Sequence, residues 1–195
     1  MVCPENFQAG QATKEVVALK VAVADVLSAW AGIENRMADL LDTVIGDPNI
    51  ALPVYFAAGN TEARFKIVDA SLRPVFARSE HEAQIVPIWS KLLVTLNRLK
   101  ETRNKVAHGM LGGTVRQRKT HIRWTGPTLD VNRWAPAGQL DGLSLADMQQ
   151  CIEAIERAES YLYGFIDLVR GILGKHNGSS AELIAELSVG LSGNA

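Results

Sequence analysis

The spacing of apolar residues along the chain predicts a helical protein. From Thr13 to Ile45, apolar side chains recur at alternating steps of three and four residues, the repeat of one face of an α-helix. Gly46 and the pair Asp47-Pro48 follow, a sequence typical of a helix end because proline cannot continue the helix. We therefore expect a long first helix and then a loop as far as Gly59.

The rest of the chain predicts more helices, interrupted by one extended segment. The predicted helices run from Asn60 or Thr61 to about Ala77, from the capping sequence at Ser79 to Gly109, from Ser144 to Gly174, and near 181–189. Between 112 and 134 the composition changes to threonine, valine, isoleucine and tryptophan, which favour strands. This segment predicts a small hairpin, with TLDVNRW as its second strand.

These elements predict the all-α class, in the form of a four-to-five-helix up-down bundle with a β-hairpin inserted before the last long helix. With 195 residues and 47% hydrophobic residues, the chain is expected to form one domain over 1–195. Its core would cover 13–173, its hairpin insertion 112–134, and its short C-terminal helix and tail 180–195.

Charge and motifs exclude several classes of protein. The net charge of −1 argues against an overall basic nucleic-acid binder, so any RNA contact must come from a local patch. Cys3 and Cys151 form no CxxC pair, and no Gly-rich phosphate loop, HExxH or GxSxG occurs. No apolar stretch is judged long enough to span a bilayer. We therefore expect a cytoplasmic protein with no cofactor, no metal and no membrane partner.

One position breaks the apolar stripe of the third long helix. The stripe runs through Leu96 and Leu99 and resumes at Val106, and Arg103 occupies the missing step. A guanidinium facing a core loses hydration that only close partners replace, so it needs a structural or chemical reason. Asn104 follows it directly, and His108 lies five positions on.

The arginine and the histidine can meet only if the helix ends between them. Residues five apart on an unbroken helix point about 140° away from each other, and Gly109 is expected to end this helix. Imidazole moves protons near neutral pH, and guanidinium binds phosphate. The pattern of Arg103, Asn104 and His108 therefore predicts metal-free phosphodiester chemistry.

The segment TRNKVAHG, at the end of the third long helix, resembles the signature of the HEPN domains, the higher eukaryote and prokaryote nucleotide-binding superfamily. That signature is an arginine, often a polar residue, and a histidine four to six positions after the arginine. WAGIENRMADLL in the first helix agrees with the resemblance, which extends over about 13–173. It implies a bundle of HEPN type and a homodimer in which two motifs form a composite ribonuclease site. His108 would be the acid or base at a ribose 2′-hydroxyl, Arg103 would steady the scissile phosphate, and Asn104 would orient either one.

The same resemblance leaves an alternative function open. Many HEPN members are inactive and act as dimerisation or nucleotide-sensing modules, so a non-catalytic dimeric module is the second hypothesis. In the toxin branch paired with a nucleotidyltransferase antitoxin, a tyrosine follows the histidine by two positions, whereas this chain has Met110. Regulation by modification of that tyrosine is therefore not expected here. The antitoxin, the RNA target and a role in phage defence or stress stay open.

Charged residues elsewhere in the sequence could pair with the residues of this site. Glu159 interrupts the stripe of the last long helix and Glu34 flanks that of the first, so either could pair with Arg103 in a polar layer. A structural ion pair is thus the alternative for Arg103, and a helix C-cap is the alternative for His108.

The hairpin carries a basic cluster that predicts contact with an RNA backbone: Arg116, Arg118, Lys119 and Arg123. Its alternative is a charged edge strand that resists aggregation.

Overall fold

The structure is a computed structural model that describes residues 9–116, 119–125, 142–175 and 179–192. Over these residues it contains six helices and one small antiparallel sheet of order β1-β2-β3. The helices are α1 (Ala9–Ile45), α2 (Pro48–Ala57), α3 (Thr61–Phe76), α4 (Glu82–Ala107), α5 (Leu145–Ile172) and α6 (Ser180–Ser192). The strands are β1 (Met110–Arg116), β2 (Lys119–Thr125) and β3 (Gly142–Leu143). The predicted helical class, with β structure inserted before the last long helix, is confirmed.

The chain divides into two compact units. The first unit comprises Met1–Ala29 and Leu99–Ala154, and the second comprises Trp30–Arg98 and Ile155–Ala195. The first unit contains the sheet and the end of α4, where the Arg103 motif lies. The prediction of one HEPN-like domain over 1–195 stays a prediction.

Aromatic side chains form the centre of the second unit. The Trp89 ring stacks on Phe165 at 5.0 Å between ring centroids, and Phe76 meets Phe165 edge-on at 6.1 Å. Trp30 packs at a tilt on Phe65 at 6.3 Å. All five side chains are buried, so their apolar area and ring geometry both stabilise this core.

The end of α1 is predicted correctly, but the loop predicted after it is wrong. Gly46 has φ +78, a conformation that glycine adopts at little cost, and it follows the last residue of α1. Directly afterwards, the Asp47 carboxylate accepts a hydrogen bond from the backbone N–H of Asn49 at 2.9 Å, and Pro48 takes the first helical position. The pair that stops α1 is therefore also the start of α2.

The hairpin is formed within a shorter segment than predicted. β1 and β2 pair in register from Met110 with Thr125 to Arg116 with Lys119, so both strands come from 110–125. The expectation that TLDVNRW forms the second strand is wrong because β2 takes that place, and TLDVNRW itself lies outside the described residues. β3 adds to β2 through Trp124 with Leu143.

The apolar content of α1 corrects another sequence expectation. Its segment Lys14–Ile45 is long and apolar enough, by length and composition, to cross a membrane. The prediction that no apolar stretch is long enough to span a bilayer is therefore wrong. Core helices of soluble proteins can have the same length and composition, but they are mostly buried, whereas 28% of the apolar part of this segment is buried. α1 buries Leu19, Val26 and Ile33 completely or nearly so. The cytoplasmic location stays a prediction.

Candidate functional site

Arg103 lies in the last turns of α4 with one of its donors unused. The side chain is half-buried, and its Nη1 donates to the amide oxygen of Asn104 at 3.1 Å. Its Nε is buried and has no hydrogen-bond acceptor among the described residues. A buried donor without a partner costs about 1–3 kcal/mol, so such an atom requires an explanation. The guanidinium is thus anchored on one side and has donor capacity left for an acceptor.

His108 is the first residue after α4, which ends at Ala107. Its backbone N–H donates to the carbonyl of Asn104 at 3.1 Å, which continues the helical hydrogen-bond pattern by one residue. Its side chain is exposed. The helical hydrogen bonding therefore extends as far as His108 itself, and the imidazole is accessible to a ligand from solvent.

The hairpin is attached to this helix end by a tryptophan. The indole N–H of Trp124, on β2, donates to the carbonyl of Val106 at 2.8 Å. A Cβ on Gly109 would clash with that indole and would lie 2.7 Å from the carbonyl oxygen of Thr125. Gly109 does not have a positive φ, so glycine is needed here for space and not for backbone conformation. We call this arrangement of Val106, Gly109 and Trp124 the indole clamp.

Sequence reasoning missed the indole clamp. It assigned Gly109 only to ending the helix and predicted no contact between Trp124 and that helix end. The signal that could have found it is the register of the hairpin, which pairs Leu111 with Trp124 and so returns the indole to the start of β1. That register follows only if Arg116 pairs with Lys119.

The basic cluster of the hairpin is not uniformly available for RNA. Arg123 is half-buried, and its Nη1 donates to the carbonyl of Gly142 at 2.9 Å, which ties β2 to β3. Arg116 and Lys119 are register partners at the far end of the hairpin, and Arg118 lies outside the described residues. The role of these residues in RNA binding stays a prediction, and Arg123 has a structural partner in addition.

The two predicted polar-layer glutamates lie in the second unit, each with its own arginine. The carboxylate of Glu34 pairs with Arg64 at 3.1 Å, and the carboxylate of Glu159 pairs with Arg36 at 3.3 Å. Glu34 also accepts from the Trp30 indole at 3.3 Å and the Thr61 hydroxyl at 2.9 Å. Because Arg103 belongs to the first unit, its pairing with either glutamate stays a prediction.

The start of α5 carries the clearest electrostatic effect of the first unit. The hydroxyl and the backbone N–H of Ser144 donate to the Asp147 carboxylate at 2.6 and 2.7 Å. These hydrogen bonds lower the pKa of Asp147, and the positive charge of Arg123 lowers it further. Burial raises the pKa of the Cys151 thiol, which makes it a poor nucleophile.

Neither a metal-binding cluster nor a relative adds to this site. Across the part of the chain that the structure describes, no group of three or more His, Cys, Asp or Glu residues is arranged to hold a metal ion. No family model matches the chain, and no curated protein or solved structure matches it either. The functional assignment therefore depends on the chemistry of the residues themselves.

Proposed function

We propose that this protein is a HEPN-like, metal-independent endoribonuclease that acts as a cytoplasmic homodimer, with Arg103, Asn104 and His108 as its site. The observation that carries the proposal is the Arg103 guanidinium. It is half-buried at the end of α4, is held by Asn104, and has a buried Nε with no acceptor among the described residues. An exposed imidazole follows at the helix end.

The proposed reaction uses a nucleophile that RNA itself supplies. A base removes the proton from the ribose 2′-hydroxyl, whose oxygen attacks the adjacent phosphorus while the bond to the 5′-oxygen breaks. The products are a 2′,3′-cyclic phosphate and a 5′-hydroxyl, and no metal-bound water is needed. Arginine suits the phosphate because its planar donors bind two oxygens at once and keep their charge at every physiological pH.

The reaction also explains why two copies are proposed. One group must accept the 2′-hydroxyl proton and another must donate a proton to the leaving 5′-oxygen. Each copy contributes a single His108, so a site built across a two-fold axis has one imidazole for each step. Asn104 is a positioning residue in this scheme, since its amide oxygen accepts a hydrogen bond from Nη1 of Arg103 and so holds the guanidinium in place.

The second candidate is a non-catalytic dimeric module that senses nucleotides. It is favoured by the indole clamp, which fixes the helix end through the Trp124 hydrogen bond whether or not chemistry follows. In that case Arg103 binds a phosphate, and His108 serves only as a helix C-cap. The two candidates differ in whether a bound RNA is cut.

The test is cleavage of end-labelled RNA by the purified full chain in excess EDTA. We expect the wild type to cut and to leave a 2′,3′-cyclic phosphate, and His108→Ala to lose at least a hundredfold in rate, the scale of a removed acid–base group. His81→Ala is the matched control, because His81 precedes α4 at its other end and should retain full activity. Cutting by His108→Ala at the wild-type rate, or silence of the wild type on structured and unstructured RNAs, refutes the nuclease. RNA binding without cutting supports the sensing module.

A further inference from the structure

The N-terminal half of α1 has apolar residues on two sides. On one side Leu19, Ala22 and Val26 are buried. On the other side Val17 and Val21 are each 54% exposed, and the small residues Ala24 and Ser28 are exposed on the same side. We call Val17, Val21, Ala24 and Ser28 the α1 stripe. It explains why α1 is more apolar than one buried face requires.

The α1 stripe has the spacing of a coiled-coil seam. Its steps of four, three and four residues are those of the d and a positions of a heptad written abcdefg. In this register Lys20 takes a g position and Asp25 takes the following e position, one on each flank of the stripe. Both side chains are exposed, and neither forms an ion pair with any residue in the described ranges.

We propose that the α1 stripe is a self-association surface on which a second copy of this chain packs its own stripe, parallel and in register. Charge complementarity selects this arrangement. In a parallel pair a g residue faces the e residue five positions on in the other helix, so Lys20 of each copy faces Asp25 of the other. An antiparallel pair brings g against g and e against e, which places like charges together.

The charges on this face also select a protein partner over a lipid one. Lys20 and Asp25, which flank the stripe, are both exposed, and each would be costly inside a hydrocarbon layer. Across a two-fold axis between two copies, the same charges stay at the edge of the contact in water. The mixture of signs also gives little net attraction to an anionic membrane surface.

The contact is short, so the association should be reversible. From Val17 to Ser28 the stripe extends about 17 Å along the helix. A contact of this length buries less surface area than most permanent interfaces do. Ala24 and Ser28 allow the two helices to approach closely, as small seam residues do. We therefore expect a monomer–dimer equilibrium in the micromolar range.

The inference rests on α1 alone and does not require nuclease activity. It supplies a two-fold contact of the kind the proposed function needs, but the two have separate readouts. A dimer with the expected charge dependence and no cutting of RNA leaves this inference standing and refutes the nuclease. Cutting of RNA by a dimer whose dissociation constant is unchanged by Lys20→Glu and Asp25→Lys does the reverse.

The test is sedimentation velocity of the full chain from low to high micromolar concentration. Lys20→Glu and Asp25→Lys each replace two attractive pairs by two repulsive ones, so each should weaken the dimer about tenfold. The double variant Lys20→Glu/Asp25→Lys should return to the wild-type dissociation constant. Positions 20 and 25 are not neighbours on their own helix, so this rescue reports contact between copies. Val94→Glu, at a 71% exposed site on α4, is the control and should leave the equilibrium unchanged.

A second measurement fixes the direction of pairing. In a Cys3→Ser background, Ala24→Cys under a mild oxidant should give a disulfide-linked dimer, because a parallel pair places position 24 beside its counterpart. A wild type that is monomeric throughout, a double variant as weak as the singles, or no cross-link at position 24 overturns the proposal. So does flotation of the monomer with phosphatidylcholine–phosphatidylglycerol vesicles, which would make the stripe a lipid contact.

Discussion

Replacing Gly109 by alanine should destabilise the first unit, although the change adds only one methyl group. The added Cβ would clash with the Trp124 indole and would lie 2.7 Å from the Thr125 carbonyl oxygen. Neither neighbour can move freely, since one is backbone and the other is held by its 2.8 Å hydrogen bond to Val106. Something in the indole clamp must therefore shift.

The expected magnitude follows from three contributions. Overpacking at a tight contact costs about 1–3 kcal/mol. Loss of the hydrogen bond to Val106 adds about 1 kcal/mol. Alanine restricts the unfolded chain and returns about 0.4–1 kcal/mol. The net expectation for Gly109→Ala is a loss of about 2 kcal/mol in the free energy of unfolding.

The measurement is urea unfolding, followed by circular dichroism and by tryptophan fluorescence. Gly59→Ala is the matched control: Gly59 lacks a positive φ, and its added Cβ meets nothing within 4 Å, so its stability should be unchanged or slightly higher. Trp124→Phe should lose about 1 kcal/mol through the missing indole N–H. If Gly109→Ala is as stable as Gly59→Ala, glycine is not needed there for space and the clamp is not a constraint on the helix end.

Two further predictions concern side chains in the two units. Glu34→Ala leaves the Arg64 guanidinium, only 20% exposed, without its carboxylate partner. We expect this change to lower the free energy of unfolding by about 2–3 kcal/mol, measured by thermal or urea unfolding. Glu62→Ala removes the carboxylate of an exposed ion pair on α3 and should lower that free energy by less than about 0.5 kcal/mol. The folded-state pKa of Asp147 lies below its ordinary 3.8, so its stabilisation is present above that pH and is lost as the pH falls through the lowered pKa. Asp147→Asn should therefore be less stable than wild type near neutral pH and should converge on it in acid, and equal urea midpoints at pH 6 would contradict this reasoning.

Helices with one buried face could be predicted closely from the sequence. α1, α3 and α5 each bury one stripe, and the predicted ends at Gly46 and Gly174 are the two described glycines with positive φ. α2 could not be predicted, because residues 50–57 are an unbroken apolar run with no polar positions to mark a helical period. Only the structure shows that Ala51 and Tyr55 are buried while most of the other side chains face solvent. A short helix of this kind is specified by its cap and by its contacts, and only the cap is visible in the sequence.

The candidate site could be predicted only where it interrupts a pattern. Arg103 stands out because it replaces an apolar residue at a regular step. Trp124 does not stand out, since its hydrogen bond joins it to a carbonyl 18 residues away, and nothing local distinguishes it from other tryptophans. The pairs of Glu34 with Arg64 and of Glu159 with Arg36 were missed for a similar reason: many carboxylates and guanidiniums are equivalent in sequence, and only packing decides which ones meet.

The indole clamp also limits how this chain can change over evolution. Side chains alternate along a strand, so one residue inserted into β2 between its start and Trp124 would turn the indole to the opposite face and release Val106. One residue added to each strand lengthens the hairpin and keeps the pairing of Leu111 with Trp124. Chains descended from a common ancestor with this site should therefore differ in hairpin length by matched additions, and keep glycine after the histidine wherever they keep the tryptophan.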